Sequence, residues 1–331
     1  MSESRRLVGL FLAAGVFFGG TFVAAKAGLE YFPPLLFVAT RFDIGALVLV
    51  GYAVYRFPRE ELLPRTRSDL LGIAGAGVFA IGLTNACIFV GQQFTSSGVA
   101  SIVYSLNPIL TPVLAAVLLS DERLSRAGGV GMALGFVGVA LVVGIDPASL
   151  LGGGLLGKAL MLAAAVFGAL GSVTIRRADS SLSSTVRTAW ALPVGALVCH
   201  GLSLAAGESP AMVEWTLPGV AALGYVGVFS GALAFIAYFG LLDEVGAIQG
   251  NLIFYLSPVV ATLGGWVLLG ESVSTTTLVG FVVIFCGFAV FGRDSIVAEL
   301  ARLRRMVRDR TEAEARPVRD AVHDSAWGDQ D

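Results

Sequence analysis

The sequence predicts an all-α integral membrane protein with ten transmembrane helices in two inverted five-helix repeats. Three observations carry this. Hydrophobic residues make up 56% of the chain and charged residues 14%, with a mean hydropathy of +0.81. A soluble domain carries roughly 25% charged residues, so this chain lacks the polar groups to cover a surface in water. Ten apolar segments are each near the ~20 residues a spanning helix needs. The two halves also match each other at an offset of about 150 residues.

The ten segments run approximately over 7–29, 33–55, 70–92, 97–119, 126–144, 155–175, 186–206, 216–240, 246–269 and 274–292. Turn-like or charged separators divide them, among them "YFPP", "SDERLS", "LLDEVG" and "LGESVST". Transmembrane strands are about 9–11 residues long with alternating polarity, and no segment alternates that way. Arg5 and Arg6 before an apolar run mimic a signal peptide, but the run to Leu29 is too long for one. It is read as an uncleaved first span. Basic residues cluster in the connections on one side: Arg56, Arg59, Arg65, Arg67, Arg123, Arg126, Arg176, Arg177 and Arg187. The positive-inside rule then places both termini in the cytoplasm, in the plasma membrane. Lys158 is the main exception.

The best internal match sets residues 98–125, "GVASIVYSLNPILTPVLAAVLLSDERLS", beside residues 246–274, "GAIQGNLIFYLSPVVATLGGWVLLGESVS". Pro108 aligns with Pro258. A weaker match sets "AAGVFFGGTFVAAKAG" beside "AAAVFGALGSVTIRRA". With five helices per copy, the second copy starts from the other side of the membrane, which makes the repeat inverted. The division is 1–146, 147–293 and a cytoplasmic tail, 294–331. Over 295–310 the tail has an apolar stripe (Ile296, Val297, Leu300, Leu303, Met306, Val307) opposite arginines. This reads either as a helix lying on an anionic leaflet or as a frayed solvated one.

With the motif "GVFFGGTFVAAKAGLEYFPPLLFVATRF" and the doubled Pro-span with its acidic turn, the chain resembles the drug/metabolite transporter superfamily, EamA-type branch, over roughly 7–292. One departure is that the family's Gly-Glu before the fifth span reads Asp121-Glu122 here. The resemblance implies two five-helix bundles around a central cavity and alternating access. It implies no particular substrate.

Charge inside a span is expensive and marks a functional hypothesis. Lys26, Arg41 and Asp43 qualify. Arg41 lies eight residues into span two, about 12 Å of helix from its start. Asp43 has no stem on which to snorkel. Two readings stand for it. Facing the cavity it would exchange a proton, and paired with Lys26 or Arg41 it would lock spans one and two. Lys26, near its helix end, reads as an anchor. Pro108 and Pro258 break the backbone ladder in matched spans, the best sequence pointer to a transporter site. Tyr104 and Asn107 in span four, and Asn251 and Tyr255 in span nine, are candidate substrate contacts. Asn85, Trp190 and Tyr238 complete the candidates. The alternative for the polar ones is interhelical glue, and for the aromatics packing or an interfacial belt. Gln92 and His200 read as interfacial. Glu122 and Glu271 read as turn residues, with Ser125, Ser274 or Thr275 as caps.

No cofactor or metal site is expected. Cys87, Cys199 and Cys286 have no metal-ligand spacing. "GGGLLGKA" fits a P-loop except that Ala159 stands where a hydroxyl should bind Mg²⁺. No basic stretch interleaves with aromatics, which argues against nucleic acid. The expected partners are a small-molecule substrate, the lipid bilayer and a second copy in a homodimer. The expected function is secondary active export of small metabolites, such as amino acids or drug-like compounds. A non-transporting membrane enzyme, sensor or scaffold is the alternative.

Overall fold

The structure is a computed structural model that describes residues 3–118, 126–143, 153–250 and 253–291. Every regular element among them is helical. Helix α1 spans Glu3–Gly28 and α2 Pro34–Arg56, and a short α3, Arg59–Leu62, follows. A third rod joins α4 (Arg67–Ala74), a π-helical segment π1 (Gly75–Leu83) and α5 (Thr84–Gln92). Next come α6 (Ser97–Tyr104), α7 (Asn107–Leu118), α8 (Arg126–Val143), α9 (Gly153–Ala178) and α10 (Ser184–Ala205). A second composite rod joins α11 (Leu217–Gly224), π2 (Tyr225–Leu233) and α12 (Ala234–Gly250), before α13 (Ile253–Leu269) and α14 (Thr275–Phe291). Among the described residues, seven helical stretches are long and apolar enough to cross a membrane. Shorter apolar helices cover Gly129–Val142, Leu256–Leu269 and Thr275–Gly287.

Local chemistry explains most of the boundaries. Pro34 opens α2, where a missing N–H costs nothing and φ is already helical. Thr66 and Asp69 form a capping box that starts α4. Ser274 accepts from the Thr277 N–H at 3.1 Å and caps α14. The fourth segment is interrupted at Ser105–Leu106. Pro108 has no N–H to return to the carbonyl four residues back, so it sits in the first turn of a new helix, α7. Pro258 acts differently. It lies inside α13, which continues through it.

One expected separator is absent. "LLDEVG" at 241–246 is helical, and α12 runs on to Gly250. Its only breaker is a single Gly, which a helix tolerates at about 1 kcal/mol. The π segments were not anticipated either. At the end of π1, side chains add to the backbone bonds: Thr84 Oγ1 donates to Phe79 O at 2.8 Å and Asn85 Nδ2 to Ile81 O at 2.8 Å, carbonyls that also accept the Thr84 N–H.

The helices pack as two bundles that exchange their first members. Bundle A gathers α4–π1–α5, α6 and α7 around α9. Bundle B gathers α11–π2–α12 and α13 around α1. Helices α2 and α10 pack on each other and on π2 and π1 respectively, and α8 pairs with α14. The outward faces of α2 and α10 carry Leu47, Val50, Val54, Leu197 and Leu204, an apolar surface suited to lipid. Small residues bring the rods together. A Cβ at Gly77 would sit 2.6 Å from Val194 Cβ, and one at Gly227 would sit 2.9 Å from Ile44 Cβ. Both members of the second contact lie 150 residues from their counterparts in the first.

Candidate functional site

The two bundles meet along a narrow seam where α1 and α13 face α5 and α6. Hydrogen bonds cross this seam at the end of the molecule that holds the α1–α2 connection. Lys26 Nζ, on α1, donates to the Gln92 carbonyl at 2.7 Å. The Gln92 side chain returns the contact, Nε2 to Phe22 O at 2.8 Å. Glu271, beyond α13, accepts from the Ser97 N–H at 2.9 Å and from Ser97 Oγ at 2.5 Å. A carboxylate from one bundle thus caps the first turn of α6 in the other, a favourable place for negative charge. Ser97 Oγ also lies 3.2 Å from the Ala261 carbonyl.

Below these bonds the seam is aromatic and polar. The Phe22 and Tyr104 rings face across it with centroids 6.1 Å apart. The Arg41 guanidinium lies 4.6 Å from the Phe42 ring centroid and 5.2 Å from that of Phe89. Arg41 is 4% exposed, yet its Nε and Nη1 have no hydrogen-bond partner among the described residues. Gln92 Oε1 and Ser101 Oγ are likewise buried and unpartnered. Asn107 Nδ2 reaches the Ala165 carbonyl at 3.4 Å, in space left by the missing side chain of Gly168, and the Tyr104 hydroxyl lies beside it.

The structure therefore brings Arg41, Tyr104 and Asn107 to one region, with Phe22, Phe89, Gln92 and Ser101. Gln92 was misread as interfacial because it ends its helix. The usable signal was its seven-residue spacing from Asn85, which puts it on one helical face with Phe89. Asn85 commits its amide to the Ile81 carbonyl of π1. Asn251 lies outside the described residues, as do Asp121, Glu122, Ser125 and the tail. For Pro108 and Tyr255 the backbone alone is described.

Three expectations need correction. Asp43 pairs with neither Lys26 nor Arg41; its Oδ2 meets His200 Nε2 on α10 at 2.8 Å. Helical geometry decides this. Two residues apart, Arg41 and Asp43 point to different faces, one inward and the other toward α10. The pair is half exposed, on the face of α2 that carries Leu47 and Val50. Trp190 stands near the entry of α10, where Nε1 donates to the Leu62 carbonyl at 2.7 Å. This is the role of a belt residue near a span end, away from Arg41. Tyr238 packs among Phe18, Phe239 and Phe254, which ties α1, α12 and α13 together inside bundle B.

A sequence model described as the EamA-like transporter family matches this chain twice, over residues 6–144 and 155–293. The chain belongs to the EamA-like transporter family. Relatives agree in kind. An uncharacterized transporter, YoaV, of Bacillus subtilis (strain 168) is 25% identical over 284 residues, covering 83% of this chain and 93% of its own. An uncharacterized inner membrane transporter, YedA, of Escherichia coli (strain K12) is 28% identical over 269 residues, covering 81% and 84%. A solved structure known only as "Crystal structure of protein" superposes with a TM-score of 0.60 at 22% identity, covering 86% of this chain and 96% of that one. That likeness concerns the fold alone. This EamA-like chain is a multi-pass membrane transporter, and its family sets it among transporters rather than enzymes.

Proposed function

We propose that this EamA-like protein is a secondary active exporter of small metabolites, such as amino acids or drug-like compounds. It works by alternating access through ten spans in two inverted five-helix repeats. Helix positions support the repeat. Helix α2 begins at Pro34 and α10 at Ser184, 150 residues on; π1 begins at Gly75 and π2 at Tyr225, again 150 on. The related pair α2 and α10 run antiparallel, which supports inversion. Trp190 near the start of α10 meets Leu62 beyond the end of α2. Glu208 beyond the end of α10 accepts from the Leu35 and Leu36 N–H groups at the start of α2.

One observation carries the transport reading. Hydrogen bonds between the bundles close one end of a seam that holds buried, unpartnered polar groups. Breaking Lys26–Gln92 and Glu271–Ser97 would let the bundles part there, exposing the region of Arg41, Tyr104 and Asn107 to that side. With the amino terminus in the cytoplasm, that end faces outward. The same seam opening at its other end would complete the cycle.

Coupling to protons runs through Asp43 in this reading, with His200 as its partner. Proteoliposomes loaded with a mixed amino-acid and metabolite pool should release a wild-type substrate faster under a pH gradient. Asp43→Asn should keep exchange but lose the gradient's effect. A mutant that still responds to the gradient would make the Asp43–His200 pair structural.

A further inference from the structure

The buried polar atoms without partners among the described residues belong to Arg41, Gln92 and Ser101. They are not scattered. The Arg41 guanidinium lies over Phe89, and Gln92 is three residues, under one turn, beyond Phe89 on α5. Gln92 holds the Phe22 carbonyl, and the Phe22 ring faces Tyr104, which is three residues beyond Ser101 on α6. Contacts therefore join Arg41 to Phe89, Gln92 to Phe22 and Phe22 to Tyr104, and three-residue helical spacing links Phe89 to Gln92 and Ser101 to Tyr104. An unpaired guanidinium is among the costliest groups to leave in a membrane interior, and burial without a counter-charge is penalised further. The carboxylate nearest in sequence does not relieve it, because Asp43 is turned to His200. Resting on the transporter reading above, we propose that Arg41 is the receptor for a carboxylate on the transported molecule, so that the substrate is an organic monoanion or a zwitterion with an apolar body.

The surroundings set the rest of the substrate's chemistry. Phe42 and Phe89 border the guanidinium, and Phe22 and Tyr104 continue the apolar wall. They suit a hydrocarbon or aromatic body. Gln92 Oε1 is a free acceptor and Ser101 Oγ a free hydroxyl, which suits a second, hydrogen-donating group such as an ammonium. The charge count argues against phosphate. A dianion needs a second cation, and the neighbouring basic side chain, Lys26, is committed to the Gln92 carbonyl.

The test uses purified full-length protein and thermal melting. Wild type and Arg41→Met are melted alone and with benzoate, phenylacetate and phenylalanine, each against its amide, and with inorganic phosphate. Without ligand, Arg41→Met should melt a few degrees above wild type, because an apolar chain of similar length replaces an unpaired buried charge. A carboxylate should raise the wild-type melting point and leave Arg41→Met unmoved, while amides and phosphate do neither. A lower melting point for ligand-free Arg41→Met would show a structural cation and overturn the proposal. So would equal stabilisation by amides, stabilisation by phosphate alone, or no stabilisation by any carboxylate. Proteoliposome efflux separates this inference from the transporter reading. If Arg41→Met moves a carboxylate metabolite as wild type does, transport stands and the carboxylate site falls.

Discussion

Gly171→Val is expected to destabilise the fold strongly. A Cβ at Gly171 would lie 2.6 Å from both the backbone nitrogen and the Cβ of Ala80, and 2.9 Å from its Cα. No rotamer change relieves contact with backbone, so α9 must retreat from π1. Overpacking costs about 3 kcal/mol at such a site, and α9 is the helix around which bundle A is assembled. The loss corresponds to a fall in melting temperature on the order of 10 °C. The related crossing in bundle B is made by Thr21 and Ser230, whose hydroxyls meet at 2.5 Å. Each of these lies 150 residues from Gly171 or Ala80. Gly201→Val is the matched control, since nothing lies within 4 Å of its Cβ position. Size-exclusion profiles and melting curves of both variants check the expectation. Equal behaviour would mean that α9 and π1 are not in close contact.

Asp69→Ala should be the most damaging of the carboxylate substitutions at the loops. Asp69 has no accessible surface. Its Oδ2 accepts from the Arg65 and Thr66 N–H groups, and its Oδ1 from Ser180 Oγ, Ser181 N and Ser181 Oγ. One side chain thereby joins the start of α4 to the turn before α10, 112 residues away. Alanine leaves these donors without their acceptor and removes half of the capping box. Asp69→Asn keeps one acceptor oxygen and should fall between alanine and wild type. Melting curves in detergent give the order. An alanine variant as stable as wild type would remove Asp69 from any role in joining the two halves.

The elements were legible where hydropathy alone decides them. Helices lie where the apolar runs predicted, within a few residues for most. The Ser274 cap and the break before Pro108 follow from local rules. The π segments were not legible, because an apolar run such as "GAGVFAIGL" is compatible with α- and π-bonding alike. The site was legible in parts. Arg41, Tyr104 and Asn107 stood out as polar groups in apolar runs. The partners of the polar groups in these runs did not, because each comes from a distant helix: Ala165 for Asn107, Phe22 for Gln92, His200 for Asp43. Glu271 was recognisable as a turn residue, but its contact with Ser97 is 174 residues away in sequence. Hydrophobic periodicity reports which face of a helix is buried and is silent on what that face meets.

The central claim is that the bundles part at the seam between α6 and α13, and a reversible cross-link there tests it most directly. A Cβ at Gly98 would lie 3.5 Å from Thr262 Cβ, within the roughly 3.5–4.5 Å that a disulfide needs. Gly98→Cys/Thr262→Cys would be built with Cys87, Cys199 and Cys286 replaced and reconstituted into liposomes. A matched Thr21→Cys/Ser230→Cys pair would join two helices within bundle B. Efflux of a metabolite that the parent protein transports would be followed before oxidation, after oxidation and after reduction. The account predicts that oxidation stops efflux in the α6–α13 pair, that reduction restores it, and that the bundle B pair transports throughout. Unchanged efflux through a fully cross-linked α6–α13 pair would contradict it.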